Sequence, residues 1–190
     1  MPKIISNVEQ TIKDCAKELF IQSRYSDVDM KVISAKSGIA VGTIYHYFHN
    51  KECLYLCVLK ESWEKTFSKL DEIDTAEMNK EEKLNRFIVT LYLDIKSRKG
   101  LGKILLFNDF KKELKDSTIL DQLKKRLLSS LSRVISQSSR DLSQRPESEI
   151  SKWSEVLLVS ILAMIEFHPN DDGNNIRFLT KLFGFPDYPA

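Results

Sequence analysis

Residues 30–48, MKVISAKSGIAVGTIYHYF, decide how this chain is read. Met30 and Ile33 lie about one helical turn apart before Gly38, and Ile39, Ile44 and Phe48 then return an apolar edge toward them. Glycine takes the left-handed conformation that ends a helix and turns the chain sharply. The pattern predicts two short helices joined by a tight turn. Val41, Gly42, Thr43, Tyr45, His46 and Tyr47 are left on the outer side of the second helix. Small, hydroxyl-bearing and aromatic side chains on a helix held by its apolar edge suit a DNA major groove. There they meet base edges, thymine methyls and phosphates.

The flanks agree with a helical head. From residue 6 to about 22, Val8, Ile12, Cys15, Ala16, Leu19 and Phe20 recur at helical spacing. Residues 24–28 are the expected loop, and Asp29 is the expected N-cap of the next helix. The helix after Gly38 is expected from Val41 to Phe48. Asn50 then caps a long fourth helix carrying Leu54, Cys57, Val58, Trp63, Phe67 and Leu70.

The remainder is also helical. Residues 71–80 are polar and are expected to be a connection, and residues 81–97 place Leu84, Phe87, Ile88, Leu91, Tyr92 and Ile95 on one face. A break at Lys99-Gly100-Leu101-Gly102 precedes a short helix over residues 103–110. A longer helix follows, carrying Ile119, Leu120, Leu123, Leu127, Leu131, Val134 and Ile135. Residues 136–148 form a polar loop, and helices over 147–167 and 174–183 close the chain. The expected fold is all-α with about nine helices. A three-helix helix-turn-helix DNA-binding head occupies residues 1–50, and residues 51–190 form a helical bundle for ligand binding and dimerisation.

Composition narrows the function. The formal net charge is only +2, and residues 1–56 hold seven Lys/Arg against six Asp/Glu. Contact with a polyanion must therefore come from a few placed cations. The three cysteines, Cys15, Cys53 and Cys57, cannot all pair and fit small buried residues in a reducing cytoplasm. Residues 1–10 lack the apolar run of a signal peptide, and the apolar stretch 156–165 is too short to span a bilayer, which takes about 20 residues. His46, His49, Cys53 and Cys57 would make a metal stripe on one continuous helix, but a cap at Asn50 splits them. No metal or cofactor is expected. With three histidines and no nucleophile elbow, phosphate loop or His-Glu-x-x-His, the chain is not expected to be an enzyme.

Residues 11–59 resemble the DNA-binding domain of the tetracycline-repressor (TetR) family of bacterial transcriptional regulators. The resemblance rests on Ala16, Leu19, Phe20, Tyr25, Ile33, Gly38-Ile39, the run Gly42-Thr43-Ile44-Tyr45-His46-Tyr47-Phe48, and Lys51-Glu52. Arg24, Val28, Ala40 and Val41 depart from the family's usual residues. The resemblance implies a homodimer that reads a palindromic operator in double-stranded DNA and is released by a small-molecule effector. The alternative is a helical sensing or scaffolding protein that has lost operator binding.

The candidate DNA-binding residues are Lys31, Val41, Gly42, Thr43, Tyr45, His46, Tyr47 and Lys51. Gly42 within a short helix costs about 1 kcal/mol against alanine, which a close approach of the backbone to DNA would offset. Lys51, at the start of the fourth helix, sits poorly with the helix dipole unless a phosphate is near. Candidate effector residues are Trp63, Phe67, Phe87, Leu91, Asp94, Phe107, Phe110, Leu127 and Trp153; the aromatics among them equally suit a packed core, and Asp94 would favour a cationic ligand. The helix over 147–167 is apolar nearly all round and needs cover on both sides. Val156, Val159, Ala163, Phe167, Ile176, Leu179 and Phe183 are the expected dimer contacts.

Overall fold

The computed structural model describes residues 7–99, 101, 114, 118–138 and 144–184. Among them are eight α-helices and no strand. The first, α1 (Val8–Gln22), is capped by Asn7, whose side chain accepts from the Gln10 backbone N–H at 3.2 Å. It buries Ile12, Ala16 and Phe20, spaced four apart along one stripe. A short 3-10 turn, Tyr25–Asp27, leads to α2 (Met30–Ser37). Asp29 caps α2 by accepting from the Lys31 N–H at 2.6 Å, and Gly38 ends it at φ 70°.

The recognition candidate is α3 (Val41–Tyr47), followed by α4 (Lys51–Thr75), which Asn50 caps by accepting from the Cys53 N–H at 2.8 Å. α1 packs on both α2 and α4, so the head is bolted to the start of a 25-residue helix that continues into the bundle. The bundle is completed by α5 (Lys80–Arg98), α6 (Thr118–Ser138), α7 (Glu147–Phe167) and α8 (Asp172–Phe183). Trp63, Phe67, Leu70, Phe87, Leu91, Tyr92, Leu127 and Leu131 are all at most 1% exposed, which makes one continuous core where these helices meet. Full burial of each such side chain contributes about 1.5–3 kcal/mol.

Residues 71–75, expected to be connection, are the last turn of α4. Their acids meet cations across the bundle: Arg126 reaches Asp71 at 3.2 Å and Arg133 reaches Asp74 at 3.1 Å. Ile73 packs against the core between them. The polar composition marks an ion-paired seam with α6. α8 begins at Asp172, two residues earlier than expected, because Asp172 is itself a junction. Tyr92 Oη donates to its Oδ1 at 2.8 Å, Lys96 also donates to it, and Asn175 donates to Tyr92 Oη at 2.9 Å. The helix expected over 103–110 lies outside the described residues.

Candidate nucleic-acid interface and bundle interior

α3 is held by its apolar edge. Ile44 is 0% exposed and Phe48, its C-cap, 7%, and Ser34 of α2 donates to the Ile39 carbonyl at 2.6 Å across the turn. The opposite edge is bare. Thr43 and His46 are exposed, Tyr45 is 46% and Tyr47 45% exposed, and the ring of His46 meets that of Tyr47 edge-on at 5.8 Å. Among the described residues, the hydroxyls of Thr43, Tyr45 and Tyr47 have no partner inside the protein. Val41 is half-buried at the start of the helix, and Ala40 before it supplies no side-chain cap.

Gly42 is informative through what surrounds it. A methyl group added there would meet no atom within 4 Å, so nothing inside the protein demands a glycine. Its helix penalty is therefore unrelieved by packing. Lys31 is exposed at the start of α2 and has no ion pair among the described residues, whereas Lys36 is engaged by Glu18 at 2.7 Å. Val28 is 2% exposed and belongs to the core of the head.

Lys51 differs from expectation. Its ammonium donates to the Tyr25 carbonyl at 2.8 Å and stands 4.2 Å from the centre of the Tyr25 ring. Carbonyl and ring face offset the unfavourable helix-dipole position that a phosphate was expected to relieve. Tyr25 in turn meets Tyr55 edge-on at 4.8 Å, and Tyr55 meets Phe20 in the same way. Lys51 thus fastens the loop between α1 and α2 to α4. Cys53 is exposed, contrary to the expected burial, while Cys15 and Cys57 are half-buried; all three are free thiols. Burial raises the Cys57 thiol above its ordinary value, with Lys13 opposing.

The effector candidates sort by surroundings. Trp63, Phe67, Phe87, Leu91 and Leu127 are at most 1% exposed and share the bundle interior. Trp153 is half-buried and meets Phe183 edge-on at 6.3 Å. Phe107 and Phe110 lie outside the described residues. Asp94 is already satisfied: Thr66 Oγ1 donates to it at 2.7 Å, Lys69 at 2.8 Å, and Arg98 lies 3.4 Å away. Burial works to raise its carboxyl, but these donors and cations outweigh burial and hold it below the ordinary value. An acid so paired offers little to a cationic ligand, which corrects that expectation.

Arg98 is the residue the pattern missed. It lies 5% exposed at the end of α5, its guanidinium 4.5 Å from the centre of the Trp63 ring. Burial pulls its pKa down to about 10, against the charge of Asp94, so it remains a cation at neutral pH. An acid four residues before an arginine at a helix end was the available signal.

The expected dimer contacts divide. Val156, Val159 and Phe167 are exposed at 49%, 62% and 75%, and Ala163 is partly open between them. Ile176 is half-buried. Leu179 and Phe183 are each 0% exposed and belong to the chain's own core, so they are not surface contacts. The outer face of α8 is instead Phe178, 53% exposed, and Leu182, 37% exposed, one register step away. No helix among the described residues is long and apolar enough to cross a membrane.

The comparisons agree with this layout. The family described as bacterial regulatory proteins, tetR family, matches residues 12–58. The chain is 30% identical over 91 residues to an uncharacterized HTH-type transcriptional regulator, YuxN, of Bacillus subtilis, covering 48% of this chain and 31% of that protein. It is 32% identical over 73 residues to the fatty acid metabolism regulator protein of the same organism, covering 38% of each. The matches thus span about a third of the length of these curated relatives. In structure the chain superposes on FadR from Bacillus subtilis in complex with stearoyl-CoA with a TM-score of 0.72, at 16% identity over 94% of this chain and 99% of that one. It also superposes on AibR in complex with isovaleryl coenzyme A and operator DNA with a TM-score of 0.72, at 19% identity over 93% and 97%. At these identities the structural likeness is one of fold. The head over residues 12–58 thus matches the tetR family of bacterial regulatory proteins in sequence, and the chain as a whole shares its fold with TetR-like regulators of known structure.

Proposed function

We propose that this protein is a transcriptional repressor that binds a palindromic operator as a homodimer and is released by a small-molecule effector. One observation carries the reading: α3 turns Ile44 and Phe48 inward and leaves Gly42, Thr43, Tyr45, His46 and Tyr47 outward, their side chains without a hydrogen-bond partner among the described residues. An unpartnered row of hydroxyls and aromatic edges beside an unexplained glycine suits close approach to a duplex. The exposed Val156, Val159, Phe167, Phe178 and Leu182 support self-association, since a monomer rarely leaves so many large apolar groups open. Two heads in one dimer would address successive major grooves.

Release follows from α4. One helix carries the Lys51 fastening of the head at its start and Trp63, Thr66 and Phe67 of the bundle interior further along. A ligand that prefers one placement of α4 shifts the separation of the two heads through that difference in affinity. The relatives crystallised with stearoyl-CoA and isovaleryl coenzyme A point to an acyl effector. A cytoplasmic location suits both partners.

Fluorescence anisotropy on duplexes selected from random sequence tests the reading. Sequence-specific binding by a dimer, with a shallow salt dependence set by few cations, is expected. Helical integrity with no sequence preference in any salt would instead favour a sensing or scaffolding protein without operator binding.

A further inference from the structure

Between α4 and α5, a chain of donors and acceptors closes on one side only. Asp94 is satisfied by Thr66 and Lys69, and Arg98 Nη2 donates to Thr66 Oγ1. On the other side Arg98 Nη1 and Trp63 Nε1 are both buried and, among the described residues, both without a hydrogen-bond partner. Trp63 is 0% exposed and Arg98 5%, with the guanidinium 4.5 Å from the centre of the indole. Buried donors are nearly always paired, and an N–H left without a partner away from water costs a fold stability. Here two adjacent groups each keep an N–H free.

Charge points to the missing partner. Among the described residues two cations, Lys69 and Arg98, face the one carboxylate of Asp94, and Lys69 is largely in solvent while Arg98 is not. The surplus positive charge is therefore the buried one. Phe67 lies beside the indole, ring centres 5.9 Å apart, so the surroundings suit an apolar molecule ending in a compact oxygen group. A guanidinium matches such oxygens in charge and planarity.

We propose that Trp63 and Arg98 form the head-group site for an acyl ligand, their free N–H groups donating to a carboxylate or to the carbonyl of an acyl thioester. This rests on the effector class proposed above and adds the atoms that recognise it. Because Trp63 and Thr66 belong to α4, an occupied site also acts on the helix that bears the DNA-binding head.

The test uses the full chain with nitrogen-15-labelled tryptophan, Trp153→Phe assigning the second indole signal. Decanoate, decanoyl-CoA and decanol are titrated while the Trp63 indole N–H is followed. The acid or the thioester is expected to move that proton downfield and to bind at least about tenfold more tightly than the alcohol. Whichever of the two does so identifies the source of the oxygen. Arg98→Met is expected to erase the preference and Arg98→Lys to retain part of it, with circular dichroism melts reporting the fold of each. An alcohol bound as tightly as the acid, a preference that survives Arg98→Met, or an indole signal that no probe moves would each overturn the site. The indole readout needs no substitution at Arg98. Operator binding of the same samples separates the two claims: the regulator reading fails as lost DNA binding with the head-group preference intact, and the site fails in the reverse pattern.

Discussion

The Lys51 ammonium donates to the backbone carbonyl of Tyr25 at 2.8 Å while standing 4.2 Å from the centre of that residue's own ring. Carbonyl and aromatic face grip one cation, and the grip ties the loop after α1 to the base of α4. Lys51→Met should lower the stability of the protein by about 1–2 kcal/mol, the sum expected of a charged hydrogen bond and a partly exposed cation–π contact. Urea unfolding measures this. The salt dependence of operator binding then tells positioning from contact. If Lys51 only positions the head, affinity falls with an unchanged slope; a slope shallower by about one unit would mean that it also neutralises a phosphate.

Gly42 should behave in opposite ways for folding and for binding. Gly42→Ala meets no atom inside the protein and removes a helix-breaking residue, so it should stabilise the chain by about 0.5–1 kcal/mol. The added methyl would stand on the outward face of α3, and operator affinity should drop. Thermal melts and anisotropy on one preparation check both signs. A variant that is more stable and binds undiminished would remove the close approach from the account.

Neighbouring apolar residues of α7 and α8 should separate into two classes. Val159→Glu and Phe178→Glu lie on exposed positions and should leave the protomer folded while shifting sedimentation toward monomer. Leu179→Ala, wholly buried, should instead cost about 2–5 kcal/mol of unfolding stability. Equal effects of Phe178→Glu and Leu179→Ala on melting temperature would contradict the observed register.

The Tyr92–Asp172–Lys96 junction predicts pH dependence at both ends. The Asp172 carboxyl is held below its ordinary value of 3.8, foremost by the hydrogen bond from Lys96 and then by that from Tyr92. A carboxyl depressed in the folded state stabilises fully above its unfolded pKa, and that contribution is lost as pH falls through 3.8 and below. The Tyr92 hydroxyl is raised above 10.0, chiefly by burial and further by Asp172, with Asn175 opposing. Its stabilisation is therefore present below pH 10.0 and lost as pH rises through and beyond that value. Asp172→Asn should flatten the acid limb of denaturant stability against pH, and Tyr92→Phe the alkaline limb. Hydrogen exchange localised to α8 should follow the same two limbs.

Much of this was legible because local chemistry agreed with the fold. Asp29, Gly38 and Asn50 punctuate the head as their side chains and backbone freedom require, and the period of Ile44 and Phe48 fixed which edge of α3 turns inward. What escaped depends on partners distant in sequence. The tail of α4 looked like a linker because Asp71 and Asp74 gain their meaning from Arg126 and Arg133 on another helix. The hold of Lys51 on Tyr25 was hidden because nothing near Lys51 in sequence announces that partner. On α8, with apolar residues at 176, 178, 179, 182 and 183, periodicity alone left two faces nearly equal, and packing against α5 and α7 chose between them. Arg98 escaped because a cation at a helix end ordinarily lies in water.

The central claim is that the outward edge of α3 meets DNA. Anisotropy of a selected operator duplex with the double variant Tyr45→Ala/Tyr47→Ala tests it most directly, since both rings are nearly half exposed and contribute little to the core. The account predicts an unchanged melting temperature and an operator affinity reduced by at least about tenfold, as losing phosphate and base contacts requires. Undiminished affinity in a protein melting at the unsubstituted temperature would contradict it.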